Sequence, residues 1–359
     1  YMIWIPVAAF QSVDRRMEEA ARDVGASPFR VFWSITLPQA GPTIAAAVLL
    51  APLAQAGAPQ LKTQAPGYYR MMLGDFEVTA LSDGTAEIPW HTILNSPAAR
   101  IQAALARQYL KSPLETSVNG YLVNTGSKLV LIDAGAAGLF GPTLGRLVKH
   151  LEAAGYKPEQ VDEIYITHLH ADHVGGITGG DGKMVFPNAV VRLDAKEAAF
   201  WLDPAALEKA PDAMKDFFKG AQASMKPYTE AGKVKTFDAA ASPQGVELVP
   251  GLRAVAARGH TPGHAVYALE SKGAKMVVWG DLLHVAAVQF PDPTVTVQFD
   301  VTPKAAMPQR KKAFADAAKA GYYVALAHVS FPGIGQLRPD GKGYRWLPAN
   351  YTANNPPAK

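Results

Sequence analysis

The sequence predicts an α/β protein of four layers: two β-sheets packed face to face, with helices on the outside. Two observations predict it. Strand-like runs come first, as hairpins, and helical runs are interspersed only later. Several short apolar strands also end in a histidine or an aspartate, which gathers one kind of side chain along the edges of the sheets.

Composition sets the bounds. The chain has 359 residues, enough for one large domain or two smaller ones, and 48% of them are hydrophobic. The net charge is +4 with both signs mixed and no run of Lys and Arg, so no nucleic-acid partner is expected. There is no cysteine. Disulfides, a thiol nucleophile and a Cys-ligated zinc site are therefore excluded, and the redox compartment stays open.

Residues 1–43 differ in texture from the rest. "EEAARDVGASPFRVFWSITLP", Glu18 to Pro38, carries Glu19-Ala20-Ala21, Gly25, Ile35, Leu37 and Pro38. That spacing resembles the EAA coupling loop of ABC-transporter permeases, which docks onto an ATPase subunit. No membrane bundle surrounds it here. Tyr1 to Phe10 is apolar but far short of the roughly 20 residues a span needs, and Pro6 interrupts it. The segment reads as a fusion remnant outside the fold, and contact of residues 18–38 with an ATPase subunit is not expected. Residues 44–57 follow as a signal-like stretch, with about eleven apolar residues and an A-x-A-type site at Ala54-Gln55-Ala56. If it works, the protein is periplasmic or secreted; otherwise it is cytoplasmic. Pro52 argues against a buried helix there.

The main domain is assigned to 58–348, with a tail at 349–359. "FEVTALSDGTAEIP" reads as a hairpin turning at Asp83-Gly84, and "GYLVNTGSKLVLIDAG" as a second turning at Thr125-Gly126. Leu144, Leu147, Val148 and Leu151 fall at helical spacing, and Gly155 stops that helix. "EIYIT", "LRAVAA", "KMVVWG" and "YYVALA" read as strands, with a helix around Lys311 to Lys319 capped by Gly321.

"YITHLHADHVGG", Tyr165 to Gly176, places His168, His170, Asp172 and His173 within six positions at the end of a strand. Side chains alternate along a strand, so His168 and His170 point the same way and can share a cation. Asp172 and His173 follow where the chain turns, within reach of a second cation. Gly175 and Gly176 permit that turn. Further ligand types stand at three other strand ends, His260, Asp281 and His328.

With these, "THLHADHVGG" and "GHTPGH" resemble the ligand motifs of the metallo-β-lactamase superfamily, over about Tyr68 to Pro348. The resemblance implies the metallo-β-lactamase fold, an αββα sandwich. It also implies that His168, His170 and His260 hold one metal, that Asp172, His173 and His328 hold another, and that Asp281 bridges them. Two divalent ions then activate water for attack on a carbonyl or phosphoryl centre as metal-bound hydroxide, with Asp281 or Asp172 orienting it or taking its proton. Zinc is the default; Mn, Co, Fe and Cd suit the same donors. His91 and His150 are read as solvated or structural, and His264 as a hydrogen-bonding support of the ligand loop.

"APGYYRMMLGDFEVTALSDGT", "FPNAVVR" and "HVSFPGIG" are further similar to the methyl parathion hydrolase family. That resemblance implies hydrolysis of organophosphate triesters, a homodimer, and a leaving-group pocket at Phe140, Trp201 and Phe217. His284, three residues after Asp281, departs from the apolar residue expected there, and Phe299 from the expected leucine; both are expected to border the substrate. A polar His284 can donate to an ester carbonyl, so a lactonase or aryl esterase with incidental phosphotriesterase activity is the alternative. A small-molecule ester is the expected partner. A reading of another class treats the chain as a transport accessory acting through its EAA-like segment.

Overall fold

A computed structural model describes residues 4–50, 58 and 60–352. The chain divides into two compact units, residues 1–64 and 65–359.

The first unit is helical. Helices Trp4–Gln11, Arg15–Asp23 and Pro28–Val31 lead through a π-helical stretch, Phe32–Thr36, into helix Leu37–Leu50. Pro6 does not interrupt the first helix, because it lies in the opening turn, where a missing N–H breaks no intrahelical bond. Asp14 caps the second helix by accepting from the Arg16 N–H, and Ser27 caps the third by accepting from Arg30. Ala9, Val13 and Ala40 form a small buried cluster. The Ala54-Gln55-Ala56 site lies outside the described residues. Among the described residues no helix is long and apolar enough to cross a membrane.

The second unit holds two seven-stranded sheets. The first contains β1 (Tyr68–Leu73), β2 (Phe76–Ile88), β3 (Leu114–Asn124), β4 (Leu129–Ile132), β5 (Glu163–Tyr165), β6 (Val190–Asp194) and β7 (Val234–Phe237), paired in chain order. The second contains β8 (Val246–Val249), β9 (Leu252–Ala256), β10 (Ala265–Ser271), β11 (Ala274–Val278), β12 (Tyr323–Ala325), β13 (Ile334–Asp340) and β14 (Gly343–Pro348). In the first sheet β1 to β4 are antiparallel and β4 to β7 parallel; in the second only β11 and β12 are parallel.

Alternation along the strands builds the layers. In β3 and β4, Tyr121, Val123, Val130 and Ile132 face the second sheet, where they meet Leu252, Ala254, Tyr267, Leu269, Met276 and Val278. Their neighbours Leu122, Leu129 and Leu131 face the other way, onto Leu147 and Leu151 of helix Leu147–Ala153 and onto helix Asp212–Glu230. On the far side of the second sheet, Val266, Ala268 and Val277 pack with Phe314 and Ala317 of helix Pro303–Ala320. Both faces of the central strands are thus buried, which explains their near-continuous apolar runs. Each Val, Leu, Ile, Phe or Met among them contributes about 1.5–3 kcal/mol on burial. The result is the four-layer αββα sandwich.

The Thr125-Gly126 turn joins β3 to β4 as expected, and Gly321, at φ +68°, caps a helix longer than the sequence indicated. The hairpin at Asp83-Gly84 does not exist. β2 runs straight through as 13 residues, with a bulge between Ser82 and Gly84. The bulge turns Asp83 inward, where its carboxylate accepts from the backbone N–H groups of Ala136, Gly145 and Leu147. The helix expected from Leu144 starts at Leu147, although Leu144 is buried. Part of the expected tail packs on the unit: Tyr69 donates to the Asn350 carbonyl, and Tyr351 lies against Tyr69. The last seven residues lie outside the described ones.

Candidate metal centre

Four strand ends deliver the seven proposed ligands to one place. β5 stops at Tyr165, and the chain continues as a loop through His168 to His170 before a one-turn helix, Ala171–Val174. The two histidines therefore stand beyond the strand rather than in it, yet their rings lie 4.5 Å apart. His260 follows β9, Asp281 sits in a 3-10 turn after β11, and His328 follows β12. Glycine is required beside two of these segments. A Cβ on Gly176 would sit 1.9 Å from the Ala134 carbonyl oxygen, so close backbone approach, not turning, demands it. Gly280 has φ +51°, and a Cβ there would press on Thr167 and His264.

The donor atoms fall into two sets. His168, His170, His260 and Asp281 form one, and Asp172, His173 and His328 the other, each with its ligand atoms within 4.8 Å of one another. Asp281 serves both. Its Oδ2 lies 3.6 Å from His168 Nε2 and 3.2 Å from His260 Nε2, while its Oδ1 lies 3.1 Å from Nε2 of both His173 and His328. His260 Nε2 is 3.1 Å from His170 Nδ1, and Asp172 Oδ2 is 3.4 Å from His328 Nε2. Four ligands at about 2.1 Å from a tetrahedral ion stand roughly 3.4 Å apart, so these spacings suit two cations.

Chemistry agrees with geometry. His168 Nε2, His173 Nε2 and Asp281 Oδ1 are buried without a hydrogen-bond partner, a state that a bound cation relieves. Burial holds His168 and His170 well below the usual histidine range, in the neutral form that binds metal. Burial alone would raise Asp281, but His173, His328, His284 and His168 outweigh it and hold its carboxyl well below the usual range. Burial opposes a charge on His173 too, and the carboxylates of Asp281, Asp172 and Asp133 overcome it, raising the ring well above its ordinary value.

A surrounding layer fixes the ring orientations, and the sequence reading missed most of it. Asp133, just after β4, accepts from the Thr167 N–H and hydroxyl, and its Oδ2 lies 2.8 Å from His173 Nδ1. These bonds hold Asp133 at φ +56°, a conformation non-glycine residues seldom adopt. Asp300 Oδ1 lies 2.9 Å from His260 Nδ1. The Ser117 carbonyl lies 3.1 Å from His328 Nδ1. Glu197, fully buried, accepts from Leu169 N–H through one oxygen and from the Thr261 hydroxyl and Gly263 N–H through the other. It thereby joins the His168–His170 loop to the His260 loop. His264 plays the supporting part expected of it, accepting from the Asp281 N–H, with its other nitrogen 3.2 Å from the Ala257 carbonyl. His91 and His150 lie beside Ser112 and the Ser82 carbonyl, in structural roles.

The expected substrate residues separate. His284 stands in the cluster itself: its Nε2 is 3.1 Å from Asp281 Oδ2, its ring stacks on His328 at 5.5 Å, and its Nδ1 is buried without a partner. Phe217 is half-buried, 5.0 Å from the His170 ring and 5.9 Å from Phe299. Trp201 is completely buried and packs against His170 at 5.4 Å, so it backs a ligand and offers no open face to a substrate. Phe140 is 48% exposed, on a loop whose Leu139 approaches Gly175.

The Metallo-beta-lactamase superfamily matches residues 114–328, and the family described as binding-protein-dependent transport system inner membrane component matches residues 1–54. A solved structure, "hydrolase AbOPH in beta lactamase superfamily", is 38% identical over 81% of this chain and 100% of its own, with a TM-score of 0.75. AidC, "a dizinc quorum-quenching lactonase", is 26% identical over 80% of this chain and 98% of its own, with a TM-score of 0.72. Exodeoxyribonuclease WalJ of Streptococcus pneumoniae is 30% identical over 124 residues, 34% of this chain. The match spans only 38% of the length of that nuclease.

Proposed function

From a chain that belongs to the metallo-beta-lactamase superfamily and is a metal-dependent hydrolase, we infer an activity on neutral phosphoric triesters of the methyl parathion type, supported by two divalent cations, zinc by default. His168, His170 and His260 would hold one cation, Asp172, His173 and His328 the other, and Asp281 both. Bound there, the cations lower the pKa of water and stabilise the anion that develops on the ester.

The chain's own groups do the rest. Water attacks phosphorus, the bond to the aryloxide breaks, and the proton of the attacking water passes to Asp172. Asp172 suits that task because its side chain keeps 20% of its surface exposed, against 4% for Asp281. The observation that carries the substrate class is Phe217, an aromatic ring between His170 and Phe299 that gives a flat leaving group an apolar face beside the ligands.

One observation favours a second reading, a lactonase or aryl esterase. His284 puts a polar ring among the ligands: its Nε2 is taken by Asp281, but its Nδ1 has no partner and suits a carbonyl oxygen, where an apolar triester gains nothing. The similarity to the quorum-quenching lactonase supports the same reading.

The test is a panel of methyl parathion, paraoxon, an aryl ester and an acyl-homoserine lactone, assayed side by side on the full chain reconstituted with zinc, manganese or cobalt. The first reading expects the highest kcat/KM for a triester. A lactone or aryl ester ahead by tenfold or more establishes the second, and no turnover of any substrate removes both. Deleting Tyr1 to Gly57 should leave the activity unchanged; its complete loss from a folded, metal-loaded domain would favour a role for the transporter-like segment.

A further inference from the structure

Arg310 lies on helix Pro303–Ala320, touches none of the seven ligands, and is 1% exposed. A guanidinium so deeply buried needs partners for all its donors. Its Nε donates to the carbonyl of Leu282 at 2.5 Å, and its Nη1 donates to the carbonyls of Val295 at 2.7 Å and Pro293 at 3.4 Å. Its Nη2 lies 3.8 Å from Asp300 Oδ2. Leu282 is the residue after Asp281, and Asp300 is the carboxylate on His260.

One side chain therefore reaches behind two ligands from different strand ends. Through Leu282 it holds the 3-10 turn that aims Asp281. Through Asp300 it acts on His260: its Nη2 stands behind Oδ2 of the carboxylate whose Oδ1 meets His260 Nδ1, and that contact orients the ring with Nε2 toward the cluster. Asp300 Oδ2 also accepts from the Val297 N–H, which fixes the carboxylate plane. Gln289, fully buried, reinforces the same segment by donating to the Val295 carbonyl and accepting from the His284 and Val285 N–H groups.

We propose that Arg310 is a positioning residue that sets the distance between Asp281 and His260, and with it the affinity of the cation these two ligands share. The proposal rests on the reading of His260 and Asp281 as ligands. A lysine keeps the charge but cannot span Leu282, Val295 and Asp300 together, because it lacks the planar fork.

The experiment measures zinc affinity of the full chain by competition with a chromogenic chelator, for wild type, Arg310→Lys, Asp300→Asn and the double variant. Unfolding of each metal-free protein is followed in parallel. Loss of a partner behind a metal ligand typically weakens affinity 10–100-fold. Arg310→Lys is expected to fall in that range for one of two zinc ions. The double variant should lose more than Asp300→Asn alone but less than the product of the two single losses, since Arg310 shares the route through His260 and holds the Leu282 turn besides. Unchanged zinc affinity in Arg310→Lys, with only a lower unfolding midpoint, overturns the proposal by making Arg310 a fold residue. Losses that multiply in the double variant overturn the route through Asp300. If Arg310→Lys is recovered only unfolded, unchanged affinity in Asp300→Asn overturns the proposal equally. A wild-type chain that binds no zinc overturns the ligand reading itself, which is a different result from tight binding by both wild type and variant.

Discussion

The Nε2 of His284 lies 3.1 Å from Oδ2 of Asp281. The carboxylate assigned to both cations therefore carries a neighbour that is absent from either ligand set. Replacing His284 with leucine removes that polar ring from the site and leaves an apolar surface. The ratio of kcat/KM for paraoxon to that for an acyl-homoserine lactone should rise about tenfold, the size of one hydrogen bond of about 1–1.5 kcal/mol. An unchanged ratio takes His284 out of substrate selection.

Asp281 and His168 should differ in what their loss removes. Asp281→Ala deletes a carboxylate that faces both sets, so metal analysis should show fewer than one bound ion per chain. His168→Ala touches only one set and should leave close to one. Turnover should fall at least about a thousandfold in both, since the activated water is worth several kcal/mol. Two retained metals with normal turnover would refute the assignment.

Metal loading should release protons at neutral pH. Burial lowers His260 in the metal-free chain, but hydrogen bonds to Asp281 and Asp300 outweigh it and raise the ring to about 9. The folded value exceeds the ordinary one of about 6.5. The protonated ring thus stabilises the metal-free fold fully below about pH 6.5, and that contribution is lost as pH rises through about 9. A cation needs the neutral ring, so zinc added at pH 7 must displace this proton. An indicator dye in weak buffer should report at least one proton per chain at pH 7, declining toward pH 10. No release at pH 7 would mean that His260 is already neutral before the metal arrives.

Glu197→Ala leaves three buried donors without an acceptor, at Leu169, Thr261 and Gly263. At about 1–3 kcal/mol each, the loss should reach roughly 3 kcal/mol or more. Urea unfolding of the chelated protein measures it. A change below about 1 kcal/mol means the two ligand loops do not depend on this carboxylate.

Much of the fold and the site was legible in the sequence, for an identifiable reason. Histidine and aspartate directly beyond short apolar strands are uncommon, and His168, His260, Asp281 and His328 each carry that local mark. What stayed hidden depends on partners far along the chain. Asp83 looked like a turn because Asp-Gly usually makes one, but its partners lie 53 to 64 residues away and only the folded bulge brings them in. Asp133, Asp300 and Glu197 carry no local signal that separates a carboxylate on a ligand from one in water. Trp201 was placed in the leaving-group pocket by the family resemblance, but it is completely buried, and a motif match carries no depth.

The ligand sets draw on both sheets: His168 to His173 lie beyond the end of β5, whereas His260, Asp281 and His328 come from the second sheet. The cations would then act as rivets between halves that are synthesised at different times. A growing chain that has reached residue 200 owns four of the seven donors but no opposing jaw; the first set is complete only once Asp281 has left the ribosome, and the second only with His328. Capture of the ions would thus be among the last events in maturation, and would mark a chain whose two sheets have already closed on each other.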